Sequence, residues 1–433
     1  MTKENQKHLT LTDAPKKKEY EEFIAAILQS TGFYVEKNIK KYDEQQLLEL
    51  DIIATEYREE DKPKKKIIEV KSGDWGPTEI FKMRGWMEYL NAEEGFIISL
   101  QSQKSIGGLS RLGSDLNIGI QVAKNSDDIT FSDLSSSIKL RQWERADLRV
   151  WRYSYWLERC IYTQLHKLAK DESQDRYRTT KSYLFNATNE AFFQSCPIER
   201  TEKLYDIFKN DPHLVARWYN ESIIGEWNEE CSIPRDTYVH DFIKNNLSEL
   251  AIPAFAEYLL RLGIIKSASE YILENGLNAN DIPVAAEAMA LKRQLTIPKT
   301  TNALITSLLS SGITHNFPIF FQWFFWYFGG FIIEDRRDEE LKLMAKKTGA
   351  PILEIEHFIA LFSTLFPETG LRKYGKTNIS RLPFFPAPYF GIGAFVRRIH
   401  YGNGNWGKSG LSNDVIADLR AAEGSTYNTL ISW

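Results

Sequence analysis

The chain has 433 residues, of which 43% are hydrophobic and 26% charged, with a formal net charge of −4. That length supports two or three cored domains, and the composition is that of a soluble globular protein rather than a disordered, collagenous or disulfide-stapled one. The small negative charge excludes a strongly basic protein that holds nucleic acid by charge alone.

Residues 1–15 are polar and lysine-rich without an apolar core, so they read as an N-terminal arm and not as a secretory signal. Apolar residues at Tyr20, Phe23, Ile24, Ile27 and Leu28 predict a helix, stopped by Gly32 at the first position past its end. Leu50-Asp51-Ile52-Ile53-Ala54 and Ile67-Ile68-Glu69-Val70-Lys71 predict two strands. The polar stretch from Glu56 to Lys66, with Pro63 inside it, reads as the hairpin connection. Side chains alternate along a strand, so Glu69 and Lys71 share one face while Ile68 and Val70 take the other. Folding the hairpin brings Asp51 beside Glu69. A helix over Pro77–Leu90, a buried-type strand over Gly95–Leu100, a helix near Ser105–Leu116 and a strand over Ile118–Ala123 complete an α/β layout.

Two carboxylates at the ends of adjacent strands are oxygen ligands of the kind Mg²⁺ or Mn²⁺ prefers, with positions left for water and a phosphate oxygen. Lys71 beside them would hold an attacking water or balance charge on the phosphorus oxygens. The same pattern also describes an amphipathic strand with a solvated Glu/Lys face, and Asp-x(17)-Glu-x-Lys alone is a common spacing. The order of elements is more specific. A helix carrying Glu21 within Tyr20-Glu21-Glu22-Phe23-Ile24, then Gly32-Phe33, then strands bearing Asp51 and Glu69-x-Lys71, resembles the PD-(D/E)XK nucleases, closest to the Mrr-type restriction endonuclease branch.

The resemblance covers residues 16–125. It implies a restriction-endonuclease-like α/β domain, a mixed sheet flanked by helices. It implies Glu21 as an accessory acidic residue, Asp51 and Glu69 as metal ligands with the Val70 carbonyl, and Lys71 as the catalytic lysine. The implied activity is Mg²⁺- or Mn²⁺-dependent hydrolysis of DNA phosphodiester bonds by water, in restriction or anti-phage defence, with RNA left open as substrate. Two features depart from the family pattern. Glu49-Leu50 precedes Asp51 where a Pro is frequent, and the Gln often found in the following helix of the Mrr branch has no clear counterpart. The competing reading is a catalytically silent nuclease-fold module that binds nucleic acid or helps assemble a complex.

Residues 1–125 hold 19 Lys and Arg against 21 Asp and Glu, so this domain is not basic overall. Lys62, Lys64, Lys65 and Lys66 cluster on the hairpin, and Lys82 and Arg84 lie on the next helix. These are the residues expected to contact phosphates on either side of a scissile bond, although a solvated lysine-rich turn fits the hairpin equally.

Residues 126–137 are rich in Ser and Asp and read as a linker; residues 138–433 read as an all-α region of one or two subdomains for substrate recognition, regulation or partner binding. Ile138–Lys170 carries a long amphipathic helical pattern, and Pro197, Pro253 and Pro318 are among the prolines that read as helix starts and breaks. Cys160, Cys196 and Cys231 fall at irregular spacings with no Cys-x-x-Cys, which predicts reduced, mostly buried thiols in a cytoplasmic protein. Phe317–Ile333 is short for a bilayer span of about 20 residues, so it predicts a buried helix and no membrane association. Its aromatic density marks it as the segment for a homodimer or partner interface, and a double-strand cut would itself need two active sites.

Three further stretches carry motif-like patterns. Gly402 to Ser409 satisfies the phosphate-loop pattern after a strand-like Ala394–Tyr401, but only 24 residues follow it, too few for the rest of an NTPase sheet. It reads as a flexible glycine loop. Arg159 with His166 and Arg235 with His240 match the Arg-x(4–6)-His spacing of HEPN-type ribonucleases at about the frequency chance provides. Pro367–Gly393 mixes cations and aromatics and reads either as a single-strand binder or as a surface loop packing its aromatics inward.

Overall fold

Apolar periodicity and a glycine stop together produce the first element. In the computed structural model, which describes residues 15–58, 62–101, 106–123, 144–171, 175–194, 196–210, 247–277, 301–366, 370–373 and 378–432, helix α1 spans Lys18–Thr31. It ends at Gly32 with φ 107°, a conformation that costs any residue with a Cβ. Gly32 and Phe33 donate their N–H groups back to Gln29 and Leu28, closing the last turn.

Three antiparallel strands follow, β1 (Tyr34–Asp43), β2 (Gln45–Glu56) and β3 (Lys64–Lys71). Two crossovers then add β4 (Glu94–Ser99) and β5 (Ile118–Val122) in parallel, through helices α2 (Pro77–Leu90) and α3 (Ile106–Asp115). The result is a mixed five-stranded sheet in the order β1-β2-β3-β4-β5. Parallel pairing demands such helical crossovers, and both helices lie where the apolar pattern predicts them.

The chain divides into two compact units, residues 1–156 and 157–433. The division falls within helix α4 (Arg145–Leu168) rather than in the Ser/Asp-rich stretch, so the opening turns of α4 belong to the first unit. They pack on α1. Arg152 lies 5.4 Å over the Phe23 ring, and the Tyr155 hydroxyl donates to Gln29 at 3.1 Å. This cover explains why α1 is buried nearly all round, including Glu22, Gln29 and Ser30, although its pattern is that of a one-faced helix.

The second unit contains helices α5 (Asp175–Phe185), α6 (Pro197–Asn210), α7 (Leu247–Glu274), α8 (Thr301–Ser310), α9 (Asn316–Trp326), α10 (Arg337–Thr348), α11 (Ile352–Leu365), α12 (Ala387–Gly402) and α13 (Asn413–Ser432). It is not all-α. Strands β6 (Phe331–Ile333), β7 (Arg372–Lys373) and β8 (Ile379–Arg381) form a small antiparallel sheet in the order β6-β8-β7. The apolar run from Phe317 splits accordingly. It is helical only to Trp326, then turns at Gly329 and Gly330, both at positive φ, into β6.

Every residue of α9 is buried. Its rings pack on Phe358 and Phe362 of α11 and on Tyr258 and Phe385, so they form this unit's core and are not offered to a partner. Among the described residues no helix is long and apolar enough to cross a membrane.

Several local expectations are corrected. Ala394–Tyr401 is helical, within α12, because its apolar residues line one side against α13 and β6. The glycine stretch after it is a tight turn in which Trp406 is buried and donates to Glu423 at 3.0 Å. Pro253 lies inside α7 rather than at its start, whereas Pro197 opens α6 and Pro318 sits in the first turn of α9. Pro367–Gly393 is not one loop: it includes β7, β8 and the start of α12, and Phe384, Phe385 and Tyr389 point inward. Cys160 and Cys196 are half-buried and not joined in a disulfide, so these two thiols are less covered than expected. Residues 1–14 of the arm, the 126–137 linker, Cys231, Arg235 and His240 lie outside the described residues.

Close backbone approach sets one stability expectation. A Cβ on Gly393 of α12 would stand 2.3 Å from the Phe328 carbonyl oxygen. Main chain cannot yield as a flexible side chain can, so Gly393→Ala is expected to cost about 1–3 kcal/mol or more. Denaturant unfolding monitored by tryptophan fluorescence checks this, and an unchanged midpoint would refute the packing described.

Candidate active site

The β2–β3 ladder pairs Ile53 with Ile67 and Ile52 with Ile68, which sets Asp51 opposite Glu69. There the side chain of Asp51 takes over from the main chain. Its Oδ2 accepts the Val70 N–H at 2.9 Å, satisfying a backbone donor where regular pairing ends. Lys71 lies two residues beyond Glu69 on the same face, and its ammonium donates to Glu69 Oε1 at 2.6 Å. The main chain of Lys71 is fixed in turn, since its carbonyl accepts the Leu100 N–H at 2.8 Å.

The next helix completes the arrangement. Lys71 Nζ is also 2.9 Å from Glu79, in the first turn of α2, and Lys82 Nζ is 3.2 Å from both Glu69 and Glu79. Two lysines and two glutamates thus alternate in a closed ring. Sequence reasoning named three of the four and missed Glu79. Its local signal, an acidic residue just after Pro77, has a sufficient explanation in the positive end of the helix. Only the crossover from β3 to α2 brings it to Lys71.

Other expected residues divide. Glu21 is ion-paired with Lys18 at 2.8 Å, yet it lies near enough to add its field to Asp51. Lys64, Lys65 and Lys66 are not beside the site. They pair with Glu56, Thr55 and Ala54 at the far end of β3, so Lys65 is about 20 Å of strand from Lys71. The hairpin connection is therefore shorter than its polar composition suggests. Lys66 is buried and bonds Glu94, its cross-strand partner on β4, with Glu56 at 3.8 Å. Arg84, two residues past Lys82, faces another side of α2 and pairs with Glu88 at 3.2 Å.

Burial and the Glu69 carboxylate push the Asp51 carboxyl up to about 7 from 3.8, against the pull of the Val70 N–H. Lys71 is held above its ordinary value; burial opposes this, but hydrogen bonds to Glu69 and Glu79 prevail. At neutral pH Lys71 is therefore an ammonium and a donor, not a proton acceptor.

The donor set can be tested against a divalent cation. Glu69 Oε1 is occupied by lysines, whereas its Oε2 is buried with no hydrogen-bond partner. A buried, undonated carboxylate oxygen beside a second carboxylate is costly without a cation. Among the described residues no group of three or more His, Cys, Asp or Glu side chains is placed to share an ion. The fit is to a cation held by two carboxylates, with its other positions left to main-chain, water or phosphate oxygens, as Mg²⁺ accepts.

The raised Asp51 value has a stability consequence. The folded chain keeps this proton up to about pH 7, while the unfolded chain loses it near 3.8. Its contribution is therefore full below pH 3.8 and declines as pH rises through 7. Asp51→Asn, which can still accept from Val70, is expected to stabilise the protein by up to about 4 kcal/mol at pH 8 and by nothing near pH 4. Melting curves across that range check the sign.

Comparison of the chain with protein-family models, with curated proteins and with solved structures finds no match.

Proposed function

We propose that the first unit is a metal-dependent nuclease that hydrolyses DNA phosphodiester bonds, with Asp51 and Glu69 holding Mg²⁺ or Mn²⁺ and Lys71 as the catalytic lysine. The observation that carries this reading is the Lys71 ammonium seated on Glu69, whose other oxygen is buried without a donor beside Asp51. The sequence pattern and the mixed sheet that displays it are those expected of a restriction-endonuclease-like domain. On the resemblance to Mrr-type enzymes, restriction or anti-phage defence is the setting we assign, with recognition or control left to the helical unit.

When bound, the cation supplies Lewis-acid polarisation of a phosphoryl oxygen and a lowered pKa for water. Asp51 and Glu69 present the carboxylate oxygens, and the Val70 carbonyl is the third protein oxygen we assign. Lys71, protonated, orients water through its N–H groups and faces the negative charge that grows on the phosphorus oxygens. Glu69 and Glu79 limit the directions its ammonium can take. Burial of Glu69 and Val70 keeps bulk water from screening these charges.

The test is cleavage of supercoiled plasmid and of linear single-stranded DNA by the full chain with Mg²⁺, Mn²⁺ or EDTA. Metal-dependent nicking by the wild type, lost in Asp51→Asn, is the expected result. DNA binding without cleavage under every metal would sink the nuclease reading and leave a binding module in its place. A second readout needs no catalysis: Mg²⁺ should raise the wild-type melting temperature at pH 8 and leave Asp51→Asn unmoved.

A further inference from the structure

We infer that the outer face of α2 is a track on which single-stranded DNA stacks its bases as it enters the candidate active site. The inference deepens the nuclease reading and rests on it. Lys82, Trp86 and Tyr89 fall at i, i+4 and i+7, so they form one stripe along about 10 Å of helix axis. That is roughly the rise of three stacked bases. The stripe begins in the site itself, because Lys82 bonds Glu69 and also stands 4.2 Å over the Trp86 ring. It ends at Tyr89, which is 53% exposed and carries Lys41 of β1 at 4.7 Å over its ring. Cations thus stand at both ends with aromatic faces between them, the pattern that binds a phosphate backbone and unpaired bases together. Phe81, at the edge of the same face, is 57% exposed.

Gly85 is the independent observation. It lies mid-helix between Lys82 and Tyr89, and a Cβ there would meet nothing within 4 Å. No packing within the protein requires a glycine, and glycine weakens an exposed helix relative to almost any other residue. An unfilled notch beside the half-buried Trp86 ring and the exposed Phe81 and Tyr89 rings is what a flat base lying close along the helix would need. Duplex DNA keeps its base faces stacked inside, so it has no use for such a surface.

The test measures anisotropy of fluorescein-labelled (dT)12 and of a 12-base-pair duplex in EDTA with the full chain. The expected results are tighter binding of (dT)12 than of duplex, and loss of about tenfold in (dT)12 affinity in each of Trp86→Ala and Tyr89→Ala. Duplex binding should be unchanged in both. Gly85→Gln should raise the melting temperature by about 2–4 °C while weakening (dT)12, which separates the track from the fold. Variants that bind (dT)12 like wild type, or lose both ligands equally, overturn the inference. Tighter binding of (rU)12 than of (dT)12 overturns the choice of DNA. Cleavage in Mg²⁺ is read separately. Wild type that binds (dT)12 through Trp86 and Tyr89 but never cleaves refutes the nuclease reading and not the track, whereas cleavage of single strands indifferent to both substitutions refutes the track alone.

Discussion

Lys71→Ala is expected to lower metal-dependent cleavage by about 10²–10³-fold, the loss typical when one preorganised donor to a developing charge is removed. DNA affinity should change little. The reasoning is geometric. The ammonium is seated between Glu69 at 2.6 Å and Glu79 at 2.9 Å, so it needs no rearrangement to meet charge on the phosphorus oxygens. Lys82 stays on Glu69 and Glu79 in the variant, and Lys71 is itself half-buried, so the fold should survive with a stability change of about 1 kcal/mol or less. Lys71→Arg should rescue only part of the rate, since a planar guanidinium cannot place three donors from the same point. Single-turnover nicking with matched anisotropy measurements decides the matter: a Lys71→Ala protein cutting at the wild-type rate would remove Lys71 from the chemistry.

Arg397→Met is expected to destabilise the second unit by about 3–5 kcal/mol, the cost of stranding one partner of a buried ion pair. Arg397 and Glu340 have fully buried side chains. The guanidinium donates to both Glu340 oxygens and to the carbonyls of Gly393, Phe328 and Phe331, and it lies 3.9 Å over the Phe331 ring. Tyr401 donates its hydroxyl to the same carboxylate. Methionine fills the volume but leaves the buried Glu340 carboxyl with the Tyr401 hydroxyl alone and takes the guanidinium donors away from those carbonyls. Chemical denaturation should therefore find the Arg397→Met, Glu340→Leu double variant more stable than Arg397→Met alone. A double variant worse than the single by the full sum of both effects would contradict this account of the pair.

The parts of the site that were legible in advance are those set by short-range geometry. Alternation along β3 puts Glu69 and Lys71 on one face whatever surrounds them, and antiparallel pairing of a hairpin needs only matching apolar patterns to set Asp51 opposite Glu69. The lysines misled for the same reason. Lys64 to Lys66 look like a polar turn beside the site, but register sends them to the far end of β3, where Lys66 is buried against Glu94 and Glu56. Glu79 was hidden because its local role at a helix start is complete without the site.

By itself, the sequence determined the helix that ends at Gly32, four of the five strands of the mixed sheet, and the chemical types gathered at Asp51, Glu69 and Lys71. All of these follow from periods of 2 and 3.6 residues and from glycine at a left-handed position. Only the tertiary structure decided which charges neutralise one another and which aromatics are covered. The crossover brings Glu79 and Lys82 to the Lys71–Glu69 pair while leaving Tyr89 exposed and Trp86 half-buried. In the second unit, α11 and α12 bury the aromatic run of α9, and Ala394–Tyr401 becomes helical because its apolar side meets α13. The physical reason is that burial and ion pairing depend on neighbours distant in sequence, which periodicity along the chain does not specify.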